Sequence, residues 1–319
     1  MNAMDQMSTL EMAAPAIVAH GLSKHYGRSA AIEHVDLTLA PGSTLALIGH
    51  NGAGKTTLMK LILGLIRPSA GSLSVLGVEP ATAPLEHRRH IGFLPENVAF
   101  HDELSGAQTL RFYARLKGAR PAQGDALLER VGLAFAADRR VKTYSKGMRQ
   151  RLGLAQALLG EPRLMLLDEP TTGLDPASRV EFFRIMRELS DRGATVIISS
   201  HILTELEART DLVAIMNRGS LAAFGPLEAL RRRADLPARF TIAAPQGAGP
   251  VLAALNGLAL RHRLAEDGRS LEVQCRVDDK MDVLRRLAGL GAAVANLDIS
   301  HPGLDDIYRH FSPEPPEES

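Results

Sequence analysis

Cysteine occurs once in the 319 residues, at Cys275, which excludes an intramolecular disulfide and suits a reducing compartment. Long hydrophobic runs are missing as well: no apolar stretch reaches the roughly 18 residues that a membrane span needs. The N-terminal segment carries Asp5 and Glu11 and has no continuous apolar core, so it does not read as a secretion signal. An excess of charge of one sign is also lacking. The net charge of +1 argues against nucleic acid as a partner, because a nucleic-acid binder usually presents a strongly basic face. The densest basic run, Arg231, Arg232 and Arg233, reads as a solvated helix face. These absences predict a cytoplasmic protein that reaches a membrane only through partners.

What is present is ordinary in bulk and specific in detail. A hydrophobic content of 45% and a charged content of 23% suit a globular chain long enough for about two domains. Residues 1–15 read as a flexible lead-in, in which Met1, Met4 and Met7 have a spacing that could suit a soft metal but fits a frayed terminus far better. Three apolar runs, 44–48, 164–167 and 195–198, suit parallel strands buried on both faces by helices. Between them, residues 98–160 turn largely helical. After Arg233 the composition changes, and residues 234–311 alternate short strands and helices in the order of a small βαββαβ unit. The tail, 312–319, is acidic and proline-rich and is expected to be disordered.

The first functional signal is a glycine loop set between an apolar strand and a helix. Gly49, His50, Asn51, Gly52, Ala53, Gly54, Lys55 and Thr56 follow the 44–48 run, and Thr57 continues into an apolar helical stretch. This context makes a phosphate-binding loop credible. Glycines let successive N–H groups turn inward towards phosphate oxygens, and the helix N-terminus adds partial positive charge. Lys55 would reach the β- and γ-phosphates, and the Thr56 hydroxyl would hold Mg²⁺.

Further residues extend the pattern. Asp168 and Glu169 end the second apolar run, where strand C-termini form the ligand crevice of a doubly wound sheet. Asp168 would hold Mg²⁺ through a water, and Glu169 would polarise the water that attacks the γ-phosphate. His201 follows the third run, within reach of that water. Tyr26, upstream of the loop, could stack on adenine or serve as a half-buried core tyrosine. Ser145 and Gly147 precede an apolar helix and make a second anion site. One phosphate loop already wraps one nucleotide, so this second site points to the nucleotide of another copy. Two chains would then sandwich two ATP molecules.

The full set, in order, resembles the ATP-binding subunits of ABC transporters across about residues 16–233. The resemblance implies an α/β fold: a P-loop NTPase core of the ABC ATPase type with an α-helical subdomain and a small α+β C-terminal domain. It assigns the Walker A loop to 49–56, Walker B to 164–169, the signature to 144–150, the D-loop to Gly173, Leu174 and Asp175, and the switch histidine to His201. Two departures stand out: Lys146 replaces a common signature glycine, and Glu96 takes the place of the glutamine usually offered to Mg²⁺ and the membrane partner. Both are familiar in the branch that serves ABC-2-type exporters. Residues 94–98 and 137–151 are similar to the ATPase subunits of nitrous oxide reductase maturation transporters, associated with copper–sulfur centre assembly. That resemblance implies ATP and Mg²⁺ as cofactors, multi-span permease partners on the cytoplasmic side of the inner membrane, and a periplasmic accessory protein. The rival expectations are a soluble ABC ATPase of metal-cofactor assembly and the ATPase of an unrelated drug or lipid exporter.

Overall fold

Burial of both faces selects the strands of the central sheet. In a computed structural model that describes residues 14–312, β3 (Thr44–Ile48), β6 (Leu164–Asp168) and β7 (Thr195–Ser199) are buried at every position. A strand without a solvent face needs no polar alternation, which is why these segments read as unbroken apolar runs. They pair in parallel, Leu45 beside Ile197 and Leu166 beside Ile197, with β5 (Ile91–Leu94) beyond β6 and β8 (Leu212–Asn217) beyond β3. The six-stranded order is β5-β6-β7-β3-β8-β9, where β9 is Ser220–Pro226. A separate antiparallel sheet of β1 (Ile17–Tyr26), β2 (Ser29–Leu39) and β4 (Ala70–Val75), in the order β2-β1-β4, was not separable in the sequence.

Helices complete this first unit. The helix α1 (Lys55–Ile62) buries Leu58, Met59, Leu61 and Ile62, and its N-cap Gly54 takes a left-handed conformation that favours glycine. A four-residue turn, α2 (Leu85–Arg88), precedes the helical insert, which comprises α3 (Gly106–Lys117), α4 (Pro121–Arg130) and α5 (Lys146–Leu158). Ser105 and Gln108 form a capping box at the start of α3. Asp175 caps α6 (Pro176–Asp191), which starts with proline and buries Phe182, Phe183, Ile185, Met186 and Leu189. The short α7 (Leu203–Glu207) follows His201. No helix among the described residues is long and apolar enough to cross a membrane.

The second unit begins at Pro226, eight residues ahead of the boundary expected at 233/234. The difference arises because α8 (Leu227–Ala234), which carries the three arginines, is bound into it. Arg231 Nε donates to the Pro302 carbonyl, and the Arg233 guanidinium lies 5.1 Å from the Phe311 ring centroid. The basic run is therefore more than a solvated face. The rest follows the βαββαβ order: β10 (Ala238–Ala243), α9 (Gly249–Leu255), β11 (Arg261–Leu264), β12 (Ser270–Cys275), α10 (Lys280–Ala288) and β13 (Asn296–Ser300), closed by α11 (Leu304–Phe311). The sheet order is β11-β12-β10-β13, all antiparallel, over a core of Phe240, Ile242, Val251, Leu271, Val273 and Val283. Met1, Met4 and Met7, the lead-in to residue 13, and the tail from 313 lie outside the described residues.

Candidate functional site

The glycine loop works by close approach as well as by conformation. A Cβ on Gly49 would lie 2.7 Å from the Met216 carbonyl oxygen, so the loop can seat against β8 only without a side chain there. Gly52 and Gly54 have φ of 85° and 107°, which lets the backbone curl around the Lys55 amine. That amine donates to the carbonyls of Gly49 and His50. Burial pushes the Lys55 pKa down, while Glu169, Asp168 and Glu96 act against the shift. The lysine is thus held inside the loop, facing three carboxylates. The Ala53 amide closes the turn on the His50 carbonyl, and the His50 ring lies against the Asn51 carbonyl.

The strand ends supply the acidic side. Thr56 Oγ1 donates to Asp168 Oδ2 at 3.2 Å, and Ser199 Oγ donates to Asp168 Oδ1 at 2.6 Å. Ser199 Oγ also accepts from the Glu169 amide at 3.0 Å. Glu169 sits at φ 49°, a left-handed conformation that costs a non-glycine residue about 1–3 kcal/mol and persists only when its surroundings enforce it. Here the Ser199 hydroxyl fixes its amide, and His201 Nδ1 lies 2.6 Å from Glu169 Oε2. The Glu169 side chain is 15% exposed and the His201 ring 69%, so the imidazole is the solvent-facing member of the pair.

These groups meet in a cleft of about 200 Å³ lined by His50, Asn51, Gly52, Gly54, Lys55, Thr56, Thr57, Glu96, Asp168 and Glu169, with Ala31. Gly49 and Ala53 build the loop behind it, and His201 joins through Glu169. Besides these three, four more of the expected residues, Tyr26, Ser145, Gly147 and Asp175, are not among its lining. Tyr26 is half exposed, with the Lys24 amine 5.3 Å from its ring centroid. Ser145 caps α5 by accepting from the Met148 amide. Gly147 packs so closely on the loop before α6 that a Cβ would meet the Gly173 carbonyl oxygen at 2.9 Å. Asp175 accepts from both the amide and the hydroxyl of Ser178, which holds its carboxyl below the usual range. Ser145 and Gly147 therefore lie beside the Gly173–Leu174–Asp175 loop rather than in the cleft. A larger cavity of about 360 Å³, walled by Leu94, Leu154, Leu174 and Phe182, lacks both the lysine and the acid pair.

Sequence reasoning missed Ser199 and Ala31. The only signal for Ser199 is a hydroxyl at the C-terminal end of a strand that is apolar between Thr195 and Ser199, since its partners lie 31 and 30 residues away. Chemically, the cleft offers a basic amine for phosphate, a hydroxyl and two carboxylates that suit a hard divalent cation, and a histidine-paired carboxylate able to take a proton. Among the described residues no cluster of three or more His, Cys, Asp or Glu could hold a metal alone. The Thr56 hydroxyl and Asp168 carboxylate are a donor set of the kind Mg²⁺ takes, since it keeps several waters and is bound by one or two protein groups together with substrate phosphates.

The family model described as ABC transporter matches residues 32–172. The daunorubicin resistance ATP-binding protein DrrA3 of Streptomyces coeruleorubidus is 36% identical over 314 residues, covering 94% of this chain and 97% of that protein. The bacitracin transport ATP-binding protein BcrA of Bacillus licheniformis is 38% identical over 214 residues, covering 66% of this chain and 70% of its own length. Among solved structures, an ATP-binding subunit of an ABC transporter superposes with TM-score 0.65 at 33% identity, over 68% of this chain and 92% of that one. A dimeric ATP-binding cassette in a post-hydrolysis state, bound to ADP and phosphate, shares the fold with TM-score 0.62 at 21% identity, over 66% of this chain and 98% of its own.

Proposed function

The chain belongs to the ATP-binding subunits of ABC transporters, and from that premise we propose that it drives a membrane exporter of the drug and antibiotic type. It is an ATPase of the P-loop fold. The observation that carries the export reading is the full-length relationship to a daunorubicin resistance protein, which extends through the C-terminal unit. The working location is the cytoplasmic face of the inner membrane, held there by multi-span permease subunits.

In the cleft, Lys55 and the loop amides bind the β- and γ-phosphates. Thr56 Oγ1 and Asp168 Oδ2 would hold Mg²⁺, with Glu96 accepting from its water; the ion supplies neutralisation of phosphate charge. Glu169 accepts a proton from the water whose oxygen attacks the γ-phosphorus as the bond to the β-phosphate oxygen breaks. His201 Nδ1 is placed to orient Glu169, and the exposed imidazole would reach the γ-phosphate. The protein thus contributes positioning and charge stabilisation, as in other phosphoryl transfers. Ser145 and Gly147 lie outside their own chain's cleft, which supports their use against the nucleotide of a second copy. Tyr26 has the exposed ring that adenine stacking needs.

A second reading rests on the two stretches 94–98 and 137–151, which are similar to nitrous oxide reductase maturation ATPases and point to copper–sulfur centre assembly with a periplasmic accessory protein. Deleting the gene from its host separates the two readings. Greater sensitivity to amphipathic antibiotics with normal nitrous oxide reduction supports export, and the reverse supports copper–sulfur assembly. Affinity purification of the tagged chain from detergent-solubilised membranes tests the transporter premise, which predicts a stoichiometric multi-span partner.

A further inference from the structure

Arg179 joins the loop before α6 to the segment after His201. It lies in the first turn of α6 and divides its guanidinium between two partners. Its Nε donates to the Leu174 carbonyl at 3.1 Å, and its Nη1 to Glu205 Oε1 at 2.8 Å. Leu174 precedes Asp175, the cap of α6, and faces the Gly147 end of α5 through Gly173. Glu205 lies on α7, four residues after His201, and its side chain is only 17% exposed. The other oxygen of Glu205, Oε2, is buried and has no hydrogen-bond partner.

A buried carboxylate oxygen without a donor is costly, and guanidinium with carboxylate is strongest when both teeth of the fork engage. In the observed arrangement Nη1 holds a single oxygen of Glu205 while Nε holds the Leu174 carbonyl, so the ion pair is single-toothed. If the Leu174 carbonyl withdraws, the freed fork can engage both oxygens of Glu205. Besides the observed arrangement, tied to the Gly173–Leu174–Asp175 loop, the pair has the chemistry for a second one closed on α7. We propose that Arg179 is a positioning residue that couples this loop to the His201–Glu169 pair, with Glu205 as its counter-ion. Neither residue lines the nucleotide cleft, so the coupling acts on turnover and leaves nucleotide capture to the Lys55 loop. The proposal rests on the ATPase reading of that cleft.

The test uses the purified full-length chain. Steady-state ATP hydrolysis and fluorescent-nucleotide titration are measured for Arg179→Ala, Arg179→Lys, Glu205→Gln and the double variant Arg179→Ala with Glu205→Gln. Arg179→Ala and Arg179→Lys are expected to lower kcat about tenfold or more, because a lysine cannot span both partners, with nucleotide affinity within about twofold of the parent. The double variant should be no worse than Arg179→Ala alone, the mark of a shared unit. Parental kcat in Arg179→Lys, or equal losses of kcat and affinity that add in the double variant, would overturn the coupling. Glu169→Gln is run beside them. If it hydrolyses ATP normally, the reading of the cleft fails, whereas an inactive Glu169→Gln with active Arg179 variants refutes only this proposal.

Discussion

Replacing Ser199 with alanine removes one oxygen and leaves two buried groups without their partner. Ser199 is fully buried, and its hydroxyl both donates to the Asp168 carboxylate and holds the Glu169 amide. A hydrogen bond to a charged group contributes about 1.5–3 kcal/mol, and an orphaned buried donor costs about 1–3 kcal/mol. A loss of about 3 kcal/mol is therefore expected. At about 2–4 °C per kcal/mol for a unit of this size, the melting transition should fall by about 6–12 °C. The same change loosens the φ 49° backbone at Glu169, so ATP turnover should drop about tenfold or more. Nucleotide affinity should hold, because the Lys55 amine is anchored on Gly49 and His50 instead. Differential scanning calorimetry and a nucleotide titration on the same preparation check both parts. A melting point within about 2 °C of the parent, roughly what half a kcal/mol would give, together with unchanged turnover would refute the reasoning.

Gly49→Ala places a Cβ 2.7 Å from the Met216 carbonyl oxygen and 2.8 Å from the Ala53 Cβ, so the loop must shift; isothermal titration should show ATP affinity reduced about tenfold or more. Burial holds the Lys117 amine down to about 8, where it donates to the Ile91 carbonyl. Its folded pKa lies below its unfolded one, so above about pH 8 the unfolded chain binds more protons and this lysine's contribution to stability rises, by up to about 1.4 kcal/mol per pH unit, until the unfolded pKa is passed. Urea unfolding of the parent and Lys117→Met between pH 7 and pH 9.5 (about the useful window around that value) should show the parent gaining on the variant as pH rises; a constant difference would contradict the burial argument.

Much of this architecture was legible because its causes are local. The glycine loop, its flanking strand and its helix are contiguous, and steric need for glycine leaves a mark in the sequence at Gly49, Gly52 and Gly54. Strands β3, β6 and β7 announce themselves because both faces are buried. The acid pair and His201 were readable from their places at strand ends. Ser199 was not, since a hydroxyl acting across two strands has no spacing signature. The Arg179 bridge escaped for the same reason: its partners sit five residues back and 26 residues ahead. The boundary at Pro226 was hidden because α8 carries a polar, arginine-rich sequence that resembles a linker helix, while Arg231 and Arg233 bind it to the second unit.

The proposed cycle has two copies closing over ATP, with Glu169 taking the proton that lets them part. Sedimentation of Glu169→Gln with and without saturating ATP and Mg²⁺ tests this most directly, with phosphate release followed in parallel. A species of twice the 34.3 kDa chain mass is expected only when ATP is present, together with loss of turnover. A variant that stays at 34.3 kDa in ATP and hydrolyses it at the parental rate would contradict both the sandwich and the role of Glu169.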